Sequence, residues 1–250
     1  ISTADFTDTT KWAAYVMGTS DTVDYSAIAI NDDSNDTRDA DGSGADATGT
    51  DAYKGIEIDL SISSAQRIHS AYGTDTITNI ENVIGSDKGD YIAGNSGNNT
   101  LEGRAGNDYL VGLEGADKFI GGTGEDTVDF SAGAPTQQII VDLTLAQSYD
   151  INGNLTIGRI IDDGYGNLEY IDGVENIKGT NFDDTIYGDA NANSLVGLDG
   201  NDTLRGGAGA DTLDGGADED TADFSDLTEG ITLDLDTDNN HVNVSSGTAV

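Results

Sequence analysis

GSDKGDYIA GNSGNNTLE GRAGNDYLV GLEGADKFI GGTGEDTVD, residues 85–129, falls into nines, and so does GTNFDDTIY GDANANSLV GLDGNDTLR GGAGADTLD GGADEDTAD, residues 179–223. Every unit opens with glycine. Position six is aspartate in eight of the ten units, with Asn99 and Asn193 in the other two. Position eight runs Ile92, Leu101, Leu110, Phe119 and Val128, then Ile186, Leu195, Leu204, Leu213 and Ala222. A fixed period is the signature of a stacked repeat, because one unit cannot bury its apolar side chain alone. A disordered Gly/Asp tract, which low hydrophobicity and high charge would otherwise favour, gives no reason for an apolar residue at every ninth place.

The first six residues of a unit read as a turn, in which glycine supplies the φ > 0 conformations a tight loop needs. The last three read as a short strand with the position-eight side chain facing in and its neighbours facing out. Two units close one flat coil. Equivalent residues of successive coils then stack at the strand spacing of about 4.8 Å. The fold class expected is all-β. Position-eight side chains form a thin core, and position-six carboxylates form ladders along the edges.

Those ladders explain the charge. Lys plus Arg number 10 and Asp plus Glu 47, a formal charge of −37 over 250 residues. A compact chain with so many unpaired carboxylates repels itself, and stacked carboxylates cannot all stay ionised without a counter-charge. Divalent cations between them would turn repulsion into crosslinks. The other donors in reach are backbone carbonyls of the Gly-rich turns, and a flexible all-oxygen site of roughly six ligands favours Ca²⁺ over Mg²⁺. Zn²⁺ and Cu²⁺ prefer His or Cys; the chain has no Cys, and its two His lie outside the repeats. Nucleic acid and anionic membrane surfaces are poor partners for such a charge. No apolar stretch is long enough for a transmembrane segment. The chain begins at Ile1, which suggests an excised or processed piece.

The nonapeptides resemble the repeats-in-toxin (RTX) pattern. IIVDLTLAQSYDINGN (139–154), YIDGVENIKGT (170–180) and the block ending in DTADFS (220–225) extend the resemblance to serralysin-type C-terminal domains, and Asn193 in the second unit fits that pattern as well. The resemblance implies a right-handed parallel β-roll flanked by antiparallel strands, with about three Ca²⁺ ions per block, each between loops n and n+2. The earlier loop would give carbonyls of positions two and four and its position-six side chain. The later loop would give carbonyls of positions one and three and its Asp. In the first block this implies Ser86, Lys88 and Asp90 with Gly103, Ala105 and Asp108. Next come Asn95, Gly97 and Asn99 with Gly112, Glu114 and Asp117, then Arg104, Gly106 and Asp108 with Gly121, Thr123 and Asp126. In the second block it implies Thr180, Phe182 and Asp184 with Gly197, Asp199 and Asp202. Asp189, Asn191 and Asn193 follow with Gly206, Ala208 and Asp211, and last Leu198, Gly200 and Asp202 with Gly215, Ala217 and Asp220. The opening loop of each block lacks the inner glycines, and Lys88 and Arg104 must turn their charges outward.

A longer period lies above the nonapeptide. DTVDYS (21–26), DTVDFS (126–131) and DTADFS (220–225) recur, as do IEIDLS (56–61), IIVDLT (139–144) and ITLDLD (231–236), and IENVIGS (80–86) answers VENIKGT (174–180). The organisation expected is flanking strands over 1–84 with a flexible acidic loop at 31–51, a roll over 85–129, flanking strands over 130–178, and a second roll over 179–223. The start of a third unit would occupy 224–250, with a fraying end and a parent chain that continues past Val250. Residues 39–46 and the turn at 150–154 have a faint EF-hand look but lack its Glu at position twelve and its flanking helices. Asp234, Asp236 and Asp238 read as a solvated strand edge.

No catalytic motif stands out. His69 and His241 are far apart, so the H-E-x-x-H zinc-protease motif is absent, as are G-x-S-x-G and the P-loop pattern. The repeats already account for the paired carboxylates. Trp12 and the tyrosines read as packing residues. The expectation is a non-enzymatic calcium-binding structural module of a larger secreted bacterial protein. The resemblance implies type I export, folding on Ca²⁺ outside the cell, and neighbouring domains in the parent chain. The second reading is an adhesin-type module that binds polysaccharide or a cell surface with Ca²⁺. Ice binding would need a flat Thr/Asx array, which positions three and five do not form.

Overall fold

The computed structural model describes residues 21–26, 55–69, 73–144, 148–149, 155–157, 159–167, 169–228 and 241–245. The acidic loop at 31–51, the turn at 150–154, Trp12, the 231–236 strand, the Asp234–Asp238 edge and the end after 245 lie outside the described residues. Every regular element described is a strand. No helix among the described residues is long and apolar enough to cross a membrane.

The nonapeptides build two walls. Successive units alternate between them, and each wall repeats every eighteen residues. Tyr91 pairs with Tyr109 and Tyr109 with Thr127 in one wall. Asn82 pairs with Thr100 and Thr100 with Lys118 in the other. The second block repeats the pattern, with Ser194 beside Thr212 and Thr185 beside Thr203. All these pairings are parallel, as a coil of constant sense requires, and the chain is a β-roll.

The flanking segments are partly coils themselves. Thr22–Asp24, Glu57–Asp59, Tyr170–Asp172 and Asn176–Lys178 join the walls in parallel, and so does Ile139–Asp142 against Thr185–Tyr187. The expected antiparallel strands are present too. Arg159–Asp163 lies beside Ile139–Asp142, and His241–Ser245 lies beside Ala210–Ala217. Gln66–His69 with Gly73–Asp75 and Ser148–Tyr149 with Leu155–Ile157 form two small hairpins. Because Asn176–Lys178 pairs with Thr127–Asp129 on one side and Ser194–Asp199 on the other, one eight-stranded wall runs through both blocks.

The core is a single file of position-eight side chains between the walls. Ile92, Leu101, Leu110, Val128, Ile186 and Leu195 are fully buried, Phe119 nearly so, and Ala222 packs at the end. Each large member contributes about 1.5–3 kcal/mol by leaving water. Flanking Ile58, Val83, Val141 and Ile177 continue the file. Side chains on either side are partly exposed, except that Ala93, Val111 and Asp129 at position nine are buried rather than facing out as expected: Tyr91 stacks on Tyr109 with centroids 5.8 Å apart, and the Arg205 guanidinium lies 4.2 Å from the Tyr187 ring centre.

The later three turns of each block use left-handed backbone at position two. Gly122 has φ +115°, and a Cβ there would stand 2.1 Å from the Arg104 carbonyl oxygen one coil below. Arg104, Leu113 and Leu198 hold the same position with φ of 85°, 69° and 89°, a conformation that costs a non-glycine residue roughly 1–2 kcal/mol.

Candidate metal centre

Position six sits at the mouth of each strand, and its side chain folds back over the glycine that opens its own unit. A Cβ on Gly103 would stand 2.1 Å from Asp108 Oδ2, and one on Gly197 2.0 Å from Asp202 Oδ2. Position one is therefore glycine for space. The carboxylate, so placed, meets the coil below: the Asp90 N–H donates to Asp108 Oδ1 at 2.8 Å, and the Asp108 N–H to Asp126 Oδ1 at 2.8 Å. The same step links Asn99 to Asp117, Asp184 to Asp202, Asn193 to Asp211 and Asp202 to Asp220, at 2.7–3.0 Å. The position-six residues predicted from sequence are thus brought together into ladders.

The ladders are not uniform. Asp90 is saturated: Oδ1 accepts from Ile56 N–H and Ser86 Oγ–H, and Oδ2 from Ser86 N–H. Asp184 is held likewise by Ile139 and Thr180. The opening loops, which lack inner glycines, use a hydroxyl residue at position two instead. In contrast, Oδ2 of Asp108, Asp126 and Asp202 is buried with no hydrogen-bond partner. A buried carboxylate oxygen left bare is costly. The cost shows in the acidities: burial, with repulsion from neighbouring aspartates, pushes Asp108 up to about 8 and Asp202 to about 7. Burial raises Asp90 and Asp126 to about 6 and Asp117 to about 8.

The turns carry the carbonyls that such oxygens would share a cation with. Notional Cβ atoms on Gly115, Gly200 and Gly209 lie 2.5, 2.6 and 2.3 Å from the Gly97, Phe182 and Asn191 oxygens, so position-four carbonyls face the next loop. Position-one carbonyls face back, with the Gly103 and Gly197 oxygens 2.7 and 2.8 Å from Cβ positions on Gly85 and Gly179. Some carbonyls of the implied ligand set already accept a backbone N–H, as Thr123 does from Gly106 and Asp189 from Ala208, each at 2.9 Å. Arg104 turns its charge outward to Asp87, 2.9 Å away at the surface, and Lys88 is exposed. Among the described residues no three His, Cys, Asp or Glu side chains gather at one point. A site of two side chains and four carbonyls needs none.

Three ladder members escaped the sequence reading. Glu81 and Glu175 stand eighteen residues before Asn99 and Asn193, and their carbonyls accept from Asn99 Nδ2 and Asn193 Nδ2 at 2.8 Å. That explains the asparagines: each donates to a backbone oxygen, which a carboxylate could not do. The Glu175 carboxylate accepts from the Asp126 N–H at 3.0 Å, so one ladder runs Asp90, Asp108, Asp126, Glu175, Asn193, Asp211 through both blocks. The spacing of eighteen marks Glu81 and Glu175 in the sequence. Glu169, which takes the Asp117 N–H, lies 52 residues from it and carries no such signal.

The model of the RTX calcium-binding nonapeptide repeat matches the chain in four copies, over residues 84–118, 103–136, 171–198 and 187–222. No curated protein is significantly similar to the chain.

Proposed function

We propose, for a chain whose repeat blocks are RTX calcium-binding nonapeptide repeats, a non-catalytic structural module of a larger secreted protein that folds when Ca²⁺ reaches it outside the cell. The repeats make it a calcium-binding module. Export, extracellular folding and the lack of catalysis are our reading. The observation that carries it is the set of buried, unpartnered oxygens on Asp108, Asp126 and Asp202. Without cations, these carboxylates must be protonated or stay charged and unsolvated, and both oppose folding at neutral pH. With Ca²⁺, six sites of the n/n+2 type, three per block, convert that penalty into crosslinks. Ligand bound only by the native state stabilises it by RT ln(1 + [L]/Kd), so micromolar and millimolar Ca²⁺ would act as off and on.

Circular dichroism at neutral pH tests this. The chelated chain is expected to lack the β spectrum and to gain it on millimolar Ca²⁺, with Mg²⁺ a poor substitute. A β spectrum indifferent to chelator would overturn the reading.

A further inference from the structure

We propose that the junction between the two repeat blocks holds one further Ca²⁺, bound by the carboxylates of Asp117 and Glu169, with residues 164–172 acting as an additional, degenerate nonapeptide. The inference rests on the calcium reading of the repeats and extends it to residues outside them.

GYGNLEYID (164–172) opens with glycine and has an apolar Ile171 at position eight; glutamate replaces aspartate at position six. Its placement is that of a coil. Tyr170, Ile171 and Asp172 pair in parallel with Lys118, Phe119 and Ile120, which are positions seven to nine of the unit at 112–120. The Tyr170 N–H donates to the Asp117 carbonyl at 2.9 Å, as Tyr109 does to Asp90 and Thr127 to Asp108 at 2.8 Å. The Asp117 N–H donates to Glu169 Oε2 at 2.5 Å, the bond every regular ladder step makes to an Oδ1.

The turn, however, is built differently, which is why the pattern is hard to see. Its left-handed residues are Gly164 and Gly166, at positions one and three. Asp163 ties it by accepting from the Tyr165 and Asn167 N–H groups at 2.8 and 2.9 Å. The longer glutamate side chain brings a carboxylate back to the ladder from this displaced turn.

The second Glu169 oxygen, Oε1, has no hydrogen-bond donor, the carboxyl group stands against that of Asp163, and the residue is 5% exposed. It lines a cavity of about 10 Å³ with Gly112, Leu113, Asp117, Asp163 and Tyr165, room for one water or one ion. Asp117 and Asp163 are also buried and line the same cavity, without the three carboxyl groups converging on one point. Burial, then the Asp117 charge, pushes Glu169 up to about 9. Asp163 spends its oxygens on its own turn, and Asn167 Nδ2 also donates to its Oδ2. Asp117 and Glu169 are therefore the two anionic ligands, and the Leu113 and Gly115 carbonyls would complete the set, as the carbonyls of positions two and four do in the n/n+2 scheme. An oxygen-only donor set on flexible turns suits Ca²⁺. The ion would fasten the last coil of the first block to the segment that leads into the second.

Calcium counting by equilibrium dialysis at saturating Ca²⁺ tests the site on the whole chain. Glu169→Gln is expected to bind one ion fewer than wild type, while Ca²⁺ still induces its β spectrum. Glu169→Asp, which restores the repeat's usual residue, is expected to keep the ion. An unchanged count in Glu169→Gln would overturn the inference and assign Glu169 a proton shared with Asp163. Wild type that binds no ions would instead overturn the calcium reading itself. If Glu169→Gln does not fold, anomalous scattering from Tb³⁺-soaked wild-type crystals decides. A peak within ligand distance of both carboxylates is expected; peaks confined to the repeats would reject the site.

Discussion

Asp202 and Asp220 differ in ladder position rather than chemistry. Asp202 donates its N–H to Asp220, accepts from Asp184, and leaves Oδ2 bare. Under the n/n+2 scheme it serves two ions, and Asp220 serves one. Calorimetric calcium titration is therefore expected to show Asp202→Ala losing about two ions and Asp220→Ala about one. Equal losses would contradict ligand sharing. A second residue-scale test concerns strain. Leu198 holds φ +89° where Gly122 and Gly207 sit in equivalent turns. Leu198→Gly relieves about 1–2 kcal/mol of left-handed strain and adds roughly 0.5–1 kcal/mol of chain entropy cost. A net gain of about 0.5–1 kcal/mol is expected in urea unfolding at saturating Ca²⁺, and a clear loss would mean that the leucine side chain packs in a way that matters.

At the scale of the ladders, acidity and folding are linked. In the calcium-free chain the folded values are raised: Asp108 and Asp117 to about 8, Asp202 to about 7, and Asp90 and Asp126 to about 6. The unfolded value is about 3.9. Between these limits the native state binds more protons than the unfolded one, so stability falls as pH rises. The contribution is fully present below about pH 4 and is lost by about pH 8. Metal-free protein is therefore expected to gain β structure on acidification from pH 8 to pH 5, read by circular dichroism. Calcium reverses the trend, because it binds the ionised ladder. A calcium-free chain with more structure at pH 8 than at pH 5 would contradict the assignment of burial as the cause.

Across the whole molecule, the two blocks share a wall. Val128 pairs with Ile177 and Ile177 with Leu195, and all three are buried in the same file. Ile177→Ala removes a fully enclosed side chain at the seam and is expected to cost about 2–5 kcal/mol. Because the seam belongs to both blocks, amide exchange near Leu110 and near Leu204 should accelerate together. Acceleration confined to one block would mean that the rolls open separately despite their common sheet.

The nonapeptides by themselves determined the coil, its eighteen-residue step, the position-eight core and the position-six ladders. Each of these follows from a local rule repeated in phase: glycine for the turn, alternation for the strand, and one aspartate or asparagine at position six of every unit. Glu81 and Glu175 were within reach of the same arithmetic, since each stands eighteen residues before an asparagine of the ladder. Only the tertiary structure decided the rest. The seam between blocks spans 49 residues from Thr127 to Asn176, and the Asp117–Glu169 contact spans 52. No period links such distant partners. They meet because parallel strands extend a wall wherever an open edge is offered, and because a buried carboxylate must find a donor or a cation from whatever segment arrives there.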